Sequence, residues 1–96
     1  MKRLTESEIA VAVAALPAWT IHEAKLHRKY QFPDFAHAIG FMATAAPLIE
    51  KMNHHPEWFN VYNRVTVDLT THAAGGITQK DADLAQLLES IAKKLM

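Results

Sequence analysis

Asn53-His54-His55-Pro56-Glu57-Trp58-Phe59-Asn60-Val61-Tyr62-Asn63-Arg64-Val65-Thr66-Val67-Asp68-Leu69-Thr70-Thr71-His72 opens with residues that end a helix and continues with residues that favour strands. Trp58 to Asn63 and Val65 to His72 read as a hairpin turning near Asn63-Arg64. The alternation puts Phe59, Val61, Val65, Val67 and Leu69 on one face, with Thr66, Asp68, Thr70 and His72 on the other. Upstream, Phe35, Ala38, Ile39, Met42, Ala46, Ile49 and Met52 keep a three-to-four period for about five turns after a possible cap at Asp34, which predicts a long helix. Pro47 lies inside it. A proline there removes one ladder bond and crowds the preceding turn, costing on the order of 3 kcal/mol, so a kink is expected with the stripe continuing in phase.

Further upstream, Trp19 to His22 and Leu26 to Phe32 form a second alternating pair around a short turn near Glu23-Ala24. Leu26, Tyr30 and Phe32 share its apolar face, and Arg28 interrupts that face. Before it, Thr5 and Glu8 make a capping box for a helix over about residues 6 to 16, which Pro17 stops. Downstream, Gly75-Gly76 breaks the chain. Thr78 and Asp81 then open a terminal helix marked by Leu84, Leu87, Leu88, Ile91 and Leu95, with Lys93 and Lys94 at its negative end. The order is α-β-β-α-β-β-α. It predicts an α+β, two-layer fold in which a four-stranded antiparallel sheet carries three helices on one face, as a single domain over residues 1–96.

The chain has 96 residues, with ten Lys and Arg against ten Asp and Glu, six His and no Cys. Without cysteine there is no disulfide, thiolate metal site or thiol nucleophile, so chemistry must come from histidines, carboxylates, hydroxyls or backbone. Balanced, interspersed charge argues against nucleic acid or an anionic membrane as partner. The longest apolar run, Ile9 to Ala18, is about half of the roughly twenty residues that a spanning helix needs. The opening residues lack the apolar core of a secretory signal, so a cytoplasmic protein is expected.

Glu50 to Trp58 is the densest cluster of titratable and aromatic groups, in a connection between a helix and a strand. Read alone, His54-His55 is a polar loop with two solvated imidazoles, and His72 is an ordinary strand-end histidine. The hairpin changes that reading, because it returns His72 to the start of the preceding strand, beside His54, His55 and Pro56. Three imidazoles near one point can donate one proton and accept another. A metal is not expected: adjacent chain neighbours seldom bind one ion together, and the same-face helical pair is missing. Asp81 is explained by capping yet could orient a histidine. Trp58 and Tyr62 are strand aromatics, either of which could wall a planar ligand. His22, His27 and His37 have no partners in sequence and read as surface residues.

Glu50, His54-His55-Pro56, Tyr62, His72 and Asp81, at their spacing, resemble the signature of the pterin-4a-carbinolamine dehydratases. The runs His55 to Asn63, Leu69 to His72 and Gly76 to Thr78 extend the likeness over nearly the whole chain. The resemblance implies dehydration of 4a-hydroxytetrahydropterin to quinonoid dihydropterin, the recycling step after aromatic amino acid hydroxylation. It needs no cofactor, since the pterin is the substrate. It implies His54, His55 and His72 as catalytic imidazoles, with His55 and His72 acting directly. It also implies pterin contacts from His54, His55, Pro56, Thr71, His72, Ala73 and Ala74, with Glu50, Trp58 and Asp81 in support. A homodimer or homotetramer is expected too, and animal members of the family act also as dimerisation cofactors of a transcription factor, a role that fold alone does not transfer.

Overall fold

The computed structural model describes residues 1–96. Helix α1 spans Glu6–Ala14, strands β1 and β2 span Thr20–His22 and Lys25–Gln31, and helix α2 spans Phe35–Met52. Strands β3 and β4 span Glu57–Val61 and Arg64–Leu69, a 3-10 turn covers His72–Ala74, and helix α3 spans Gln79–Ala92. The sheet is antiparallel throughout in the order β1-β2-β4-β3. This is the α+β architecture read from the sequence.

Each helix begins where its cap dictates. Thr5 and Glu8 form both halves of a capping box, with Glu8 Oε1 accepting from the Thr5 N–H at 2.8 Å and Thr5 Oγ1 accepting from the Glu8 N–H at 3.2 Å. The helix stops at Ala14 rather than Leu16 because the next two N–H groups bond three residues back, to Ala12 and Val13. Asp34 Oδ1 accepts from the His37 N–H at 2.8 Å and starts α2, which runs through Pro47 as one element. Pro47 is exposed, so its ring points away from the core.

The core is a cluster of 18 buried residues between helices and sheet, including Trp19, Leu26, Tyr30, Phe41, Val65, Val67, Leu84 and Leu88. The β3–β4 register corrects the expected face pattern. The turn is Tyr62-Asn63, pairing Val61 with Arg64, Asn60 with Val65 and Trp58 with Val67. A two-residue turn puts even-numbered residues of β3 beside odd-numbered residues of β4, and a shift of one residue exchanges the faces of a strand. Trp58 therefore turns inward, edge-on to Phe41 with ring centroids 6.3 Å apart, while Phe59 and Val61 point away from the core and are 66% and 42% exposed. The larger aromatic takes the buried face.

Arg28 lies on the helix-facing side as the alternation requires, and α3 answers its charge. Glu89 Oε1 accepts from Arg28 Nε at 2.9 Å, Trp19 Nε1 at 2.9 Å and the Tyr30 hydroxyl at 2.8 Å. The Arg28 guanidinium also stacks over the Tyr30 ring, 4.2 Å from its centroid.

Candidate active site

Helix α2 ends at Asn53, whose φ of 52° is left-handed and whose N–H bonds the Glu50 carbonyl at 3.0 Å. Asparagine tolerates that conformation better than other residues with a Cβ, and it swings the chain off the helix axis. His54, His55 and Pro56 follow as the connection into β3. At the far end of β4, Thr71 bridges back to Gly76 and encloses the 3-10 turn, so His72 sits on a tight turn rather than on the strand expected from sequence. Gly75, at φ 74°, closes that turn in a conformation suited to glycine.

Hydrogen bonds join the two segments. His54 Nε2 lies 2.5 Å from Asp81 Oδ1. Asp81 is fully buried, and its other oxygen accepts from the Thr71 hydroxyl at 2.8 Å and the Thr78 N–H at 2.9 Å. With Thr71 donating to Asp81, the Thr78 hydroxyl donates to Thr71 Oγ1 at 2.8 Å. Asp81 thus caps α3 and grips an imidazole with the same carboxylate, the two uses that the sequence weighed against each other. Three neutral or charged donors around one carboxylate meet the requirement that a buried charge be hydrogen-bonded.

The other two histidines are more open. His55 Nε2 lies 2.5 Å from Glu50 Oε1, with the histidine side chain 55% exposed. His72 Nε2 lies 3.0 Å from Glu57 Oε2, and the His72 side chain is 79% exposed. Glu57 Oε1 also receives Lys25 Nζ at 2.6 Å. The hydrogen bond from Lys25 and then that from His72 hold the Glu57 carboxyl below the usual carboxylate range, against a small opposing effect of burial. The same contact holds the Lys25 ammonium above its ordinary value. Each of the three histidines thus engages a separate carboxylate through Nε2.

Pro56 and Ala74 are half-buried, Ala73 is exposed, and Thr71 is tied into the Asp81 network. Trp58 belongs to the core by its packing on Phe41, and Tyr62 stands at the opposite end of the hairpin, 60% exposed. His72 lines a cavity of about 270 Å³ with Glu23, Ala24, Lys25, Thr70, Gly75 and Gly76. No histidine lines the larger groove between α1 and α3 or the cavity beside Lys2 and Arg3. No three His, Asp or Glu side chains are arranged to hold a metal ion.

Sequence reading missed Glu57 and Lys25. Glu57 and Lys25 each fall one residue before the strand that the alternation predicts, Trp58 to Asn63 and Leu26 to Phe32, so the alternation assigns them no face, and they belong to different hairpins. The remaining histidines also have partners that the sequence did not suggest. His27 Nδ1 lies 2.7 Å from Asp68 Oδ1, His37 Nδ1 lies 2.6 Å from its own helix cap Asp34, and the His22 ring stacks 4.8 Å from His27. His27 and His37 bond outside the residues around His54, His55 and His72, and His22 comes only within 3.9 Å of Glu23 in the His72 cavity.

The family model described as "Pterin 4 alpha carbinolamine dehydratase" matches residues 2–91. A Solibacter usitatus protein named "Putative pterin-4-alpha-carbinolamine dehydratase" is 61% identical over 90 residues, covering 94% of this chain and 95% of that protein. A Novosphingobium aromaticivorans protein of the same name is 51% identical over 90 residues, covering 92% and 94%. Among solved structures, a transcriptional coactivator/pterin dehydratase from Brucella melitensis superposes with a TM-score of 0.92 at 47% identity, covering 95% of this chain and 99% of that one. With the match running across the helices, both hairpins and all three histidine–carboxylate pairs, the chain belongs to the pterin-4-alpha-carbinolamine dehydratase family.

Proposed function

We propose that this chain removes water from 4a-hydroxytetrahydropterin to give quinonoid dihydropterin, in the recycling of tetrahydropterin. The observation that carries the reading is the set of three imidazoles, each held through Nε2 by its own carboxylate, around one end of the sheet. Dehydration of a carbinolamine is a proton-transfer problem. An imidazolium donates a proton to the 4a-hydroxyl as the carbon–oxygen bond breaks, and water leaves. A neutral imidazole takes the proton from a ring nitrogen, whose N–H electron pair becomes the new carbon–nitrogen double bond. Oxidation state, nucleophile and metal do not enter.

His55 and His72 are the two open imidazoles and act directly on the pterin. His54, 11% exposed against a buried Asp81, completes the triad from the protein side. Backbone groups of Pro56 and of Thr71 to Ala74 meet the amide-like edge of the pterin. No helix is long and apolar enough to cross a membrane. Action on a water-soluble substrate in the cytoplasm is part of the proposal. A homodimer or homotetramer is part of the same reading, supported by Phe59 and Val61 exposed on the unpaired edge strand β3.

The second reading is a protein-binding coactivator module, favoured by the description of the Brucella melitensis relative. Stopped-flow ultraviolet spectroscopy on synthetic 4a-hydroxytetrahydropterin separates the two. The wild-type chain is expected to accelerate the buffer reaction, with His55→Ala and His72→Ala each losing about 10²–10⁴-fold. No acceleration by wild type, or an undiminished rate in the double variant, removes the enzymatic reading.

A further inference from the structure

The Glu57–His72 pair differs from the other two in being held by a second charged side chain. Glu57 begins β3, directly opposite Asp68 of β4, so its side chain rises on the face of the sheet that the helices leave bare. Lys25 begins β2, on the other side of β4. Its ammonium reaches over β4 to Glu57 Oε1 at 2.6 Å, while Glu57 Oε2 takes His72 Nε2 at 3.0 Å. The carboxylate is held at both oxygens, one by each partner, and the arrangement spans three strands.

We infer that Glu57, held by Lys25, is the positioning residue of His72, fixing the imidazole with Nε2–H on the carboxylate and leaving Nδ1 to exchange protons with the substrate. The inference rests on the proposed dehydration for its catalytic meaning. His72 needs such a partner. Its side chain is 79% exposed, so packing does not choose its rotamer, and Glu57 is its one side-chain hydrogen bond. An ionised carboxylate is an acceptor only, so a neutral imidazole facing it must present N–H, and the lone pair falls on the other nitrogen. Lys25 does for Glu57 what Glu57 does for His72: a glutamate on a strand end has free torsions, and a second partner removes them. Such a chain, in which one side chain fixes the tautomer of the next, is the logic by which a carboxylate orients a catalytic histidine.

The test pairs a spectrum with kinetics in the full-length protein. Long-range proton–nitrogen NMR on ¹⁵N-histidine protein, at a pH above the ordinary histidine range, reports which ring nitrogen of His72 carries the proton. Wild type is expected to show the Nε2–H form, and Glu57→Gln a mixture, because an amide can donate as well as accept. The same variant is expected to lose about tenfold in kcat, well short of a buried triad because the pair is exposed, with KM within about twofold. Lys25→Met is expected to lose up to about fivefold, with Lys25→Arg restoring the rate, and it serves as the second variant if Glu57→Gln folds poorly. An unchanged His72 tautomer in both variants overturns the inference, as does a changed tautomer with unchanged kcat. If wild type does not dehydrate the pterin, the dehydratase reading falls by itself, and the spectrum still decides whether Glu57 orients His72.

Discussion

Glu89 accepts three hydrogen bonds on a single oxygen, from Trp19, Arg28 and Tyr30. Burial pushes its carboxyl up, but the bonds from Tyr30, Arg28 and Trp19 outweigh that and leave it below the usual range. Tyr30 is displaced the other way, raised first by burial and then by the carboxylate it bonds. Glu89→Ala strands a guanidinium, a phenol and an indole N–H, and is expected to destabilise by about 2–4 kcal/mol in urea unfolding. Glu89→Gln keeps an acceptor and loses only the charge, about 1–2 kcal/mol. The sign with pH follows from the lowered carboxyl. Its contribution is fully present above the ordinary carboxylate range and is lost as pH falls through the lower folded value, so Glu89→Gln should flatten the acid limb of the stability profile. From sequence, Arg28 is only an interruption of an apolar face. Its partner lies sixty-one residues away, and no local pattern announces a contact of that separation. Asp81 was half legible for a related reason: capping is a local rule and visible, whereas its grip on His54 depends on where α2 releases the chain.

At the scale of elements, the turns decide what the strands present. Glu23 and Ala24 join β1 to β2 with φ of 50° and 63°, a pair of left-handed residues in a two-residue turn that Asn-Gly fits far better. Residues with a Cβ cost roughly 1–2 kcal/mol each in that region, asparagine less and glycine least. Replacing the pair with Asn-Gly is expected to raise stability by about 1–2 kcal/mol, or roughly 4–8 °C in Tm per kcal/mol gained, measured by thermal unfolding. The position of this turn was legible from the alternating residues around it although the turn residues themselves carry no signal. The β3–β4 turn shows the opposite outcome. There the strands were legible and the loop length was not, and one residue of loop exchanged Phe59 for Trp58 on the core face. Period-two patterns fix a strand's two faces but not which face is inside when both carry apolar residues.

Taken as one body, the chain covers one side of its sheet and leaves the other to Lys25, His27, Glu57, Phe59, Val61 and Asp68. Element order and layer arrangement were readable because caps, prolines and glycines punctuate the chain at the helix boundaries, and alternation marks the strands between them. The assembly of the site was readable only as a consequence of the hairpin, since no local rule brings residues 54 and 81 together. The exposed Phe59 and Val61 on an edge strand predict association of identical chains. Sedimentation velocity at micromolar concentration is expected to give two or four chains, and Phe59→Glu to shift the distribution toward one; a wild-type monomer would refute this. The beginning of the chain has its own part in the whole. The Leu4 N–H donates to the Ile77 carbonyl at 2.8 Å, and the Arg3 side chain lies against Gly76, where an added Cβ would come within 2.8 Å of it. Arg3 and Leu4 are therefore stitched to the strap that carries His72, so a pull on the segment ahead of α1 is transmitted to that imidazole.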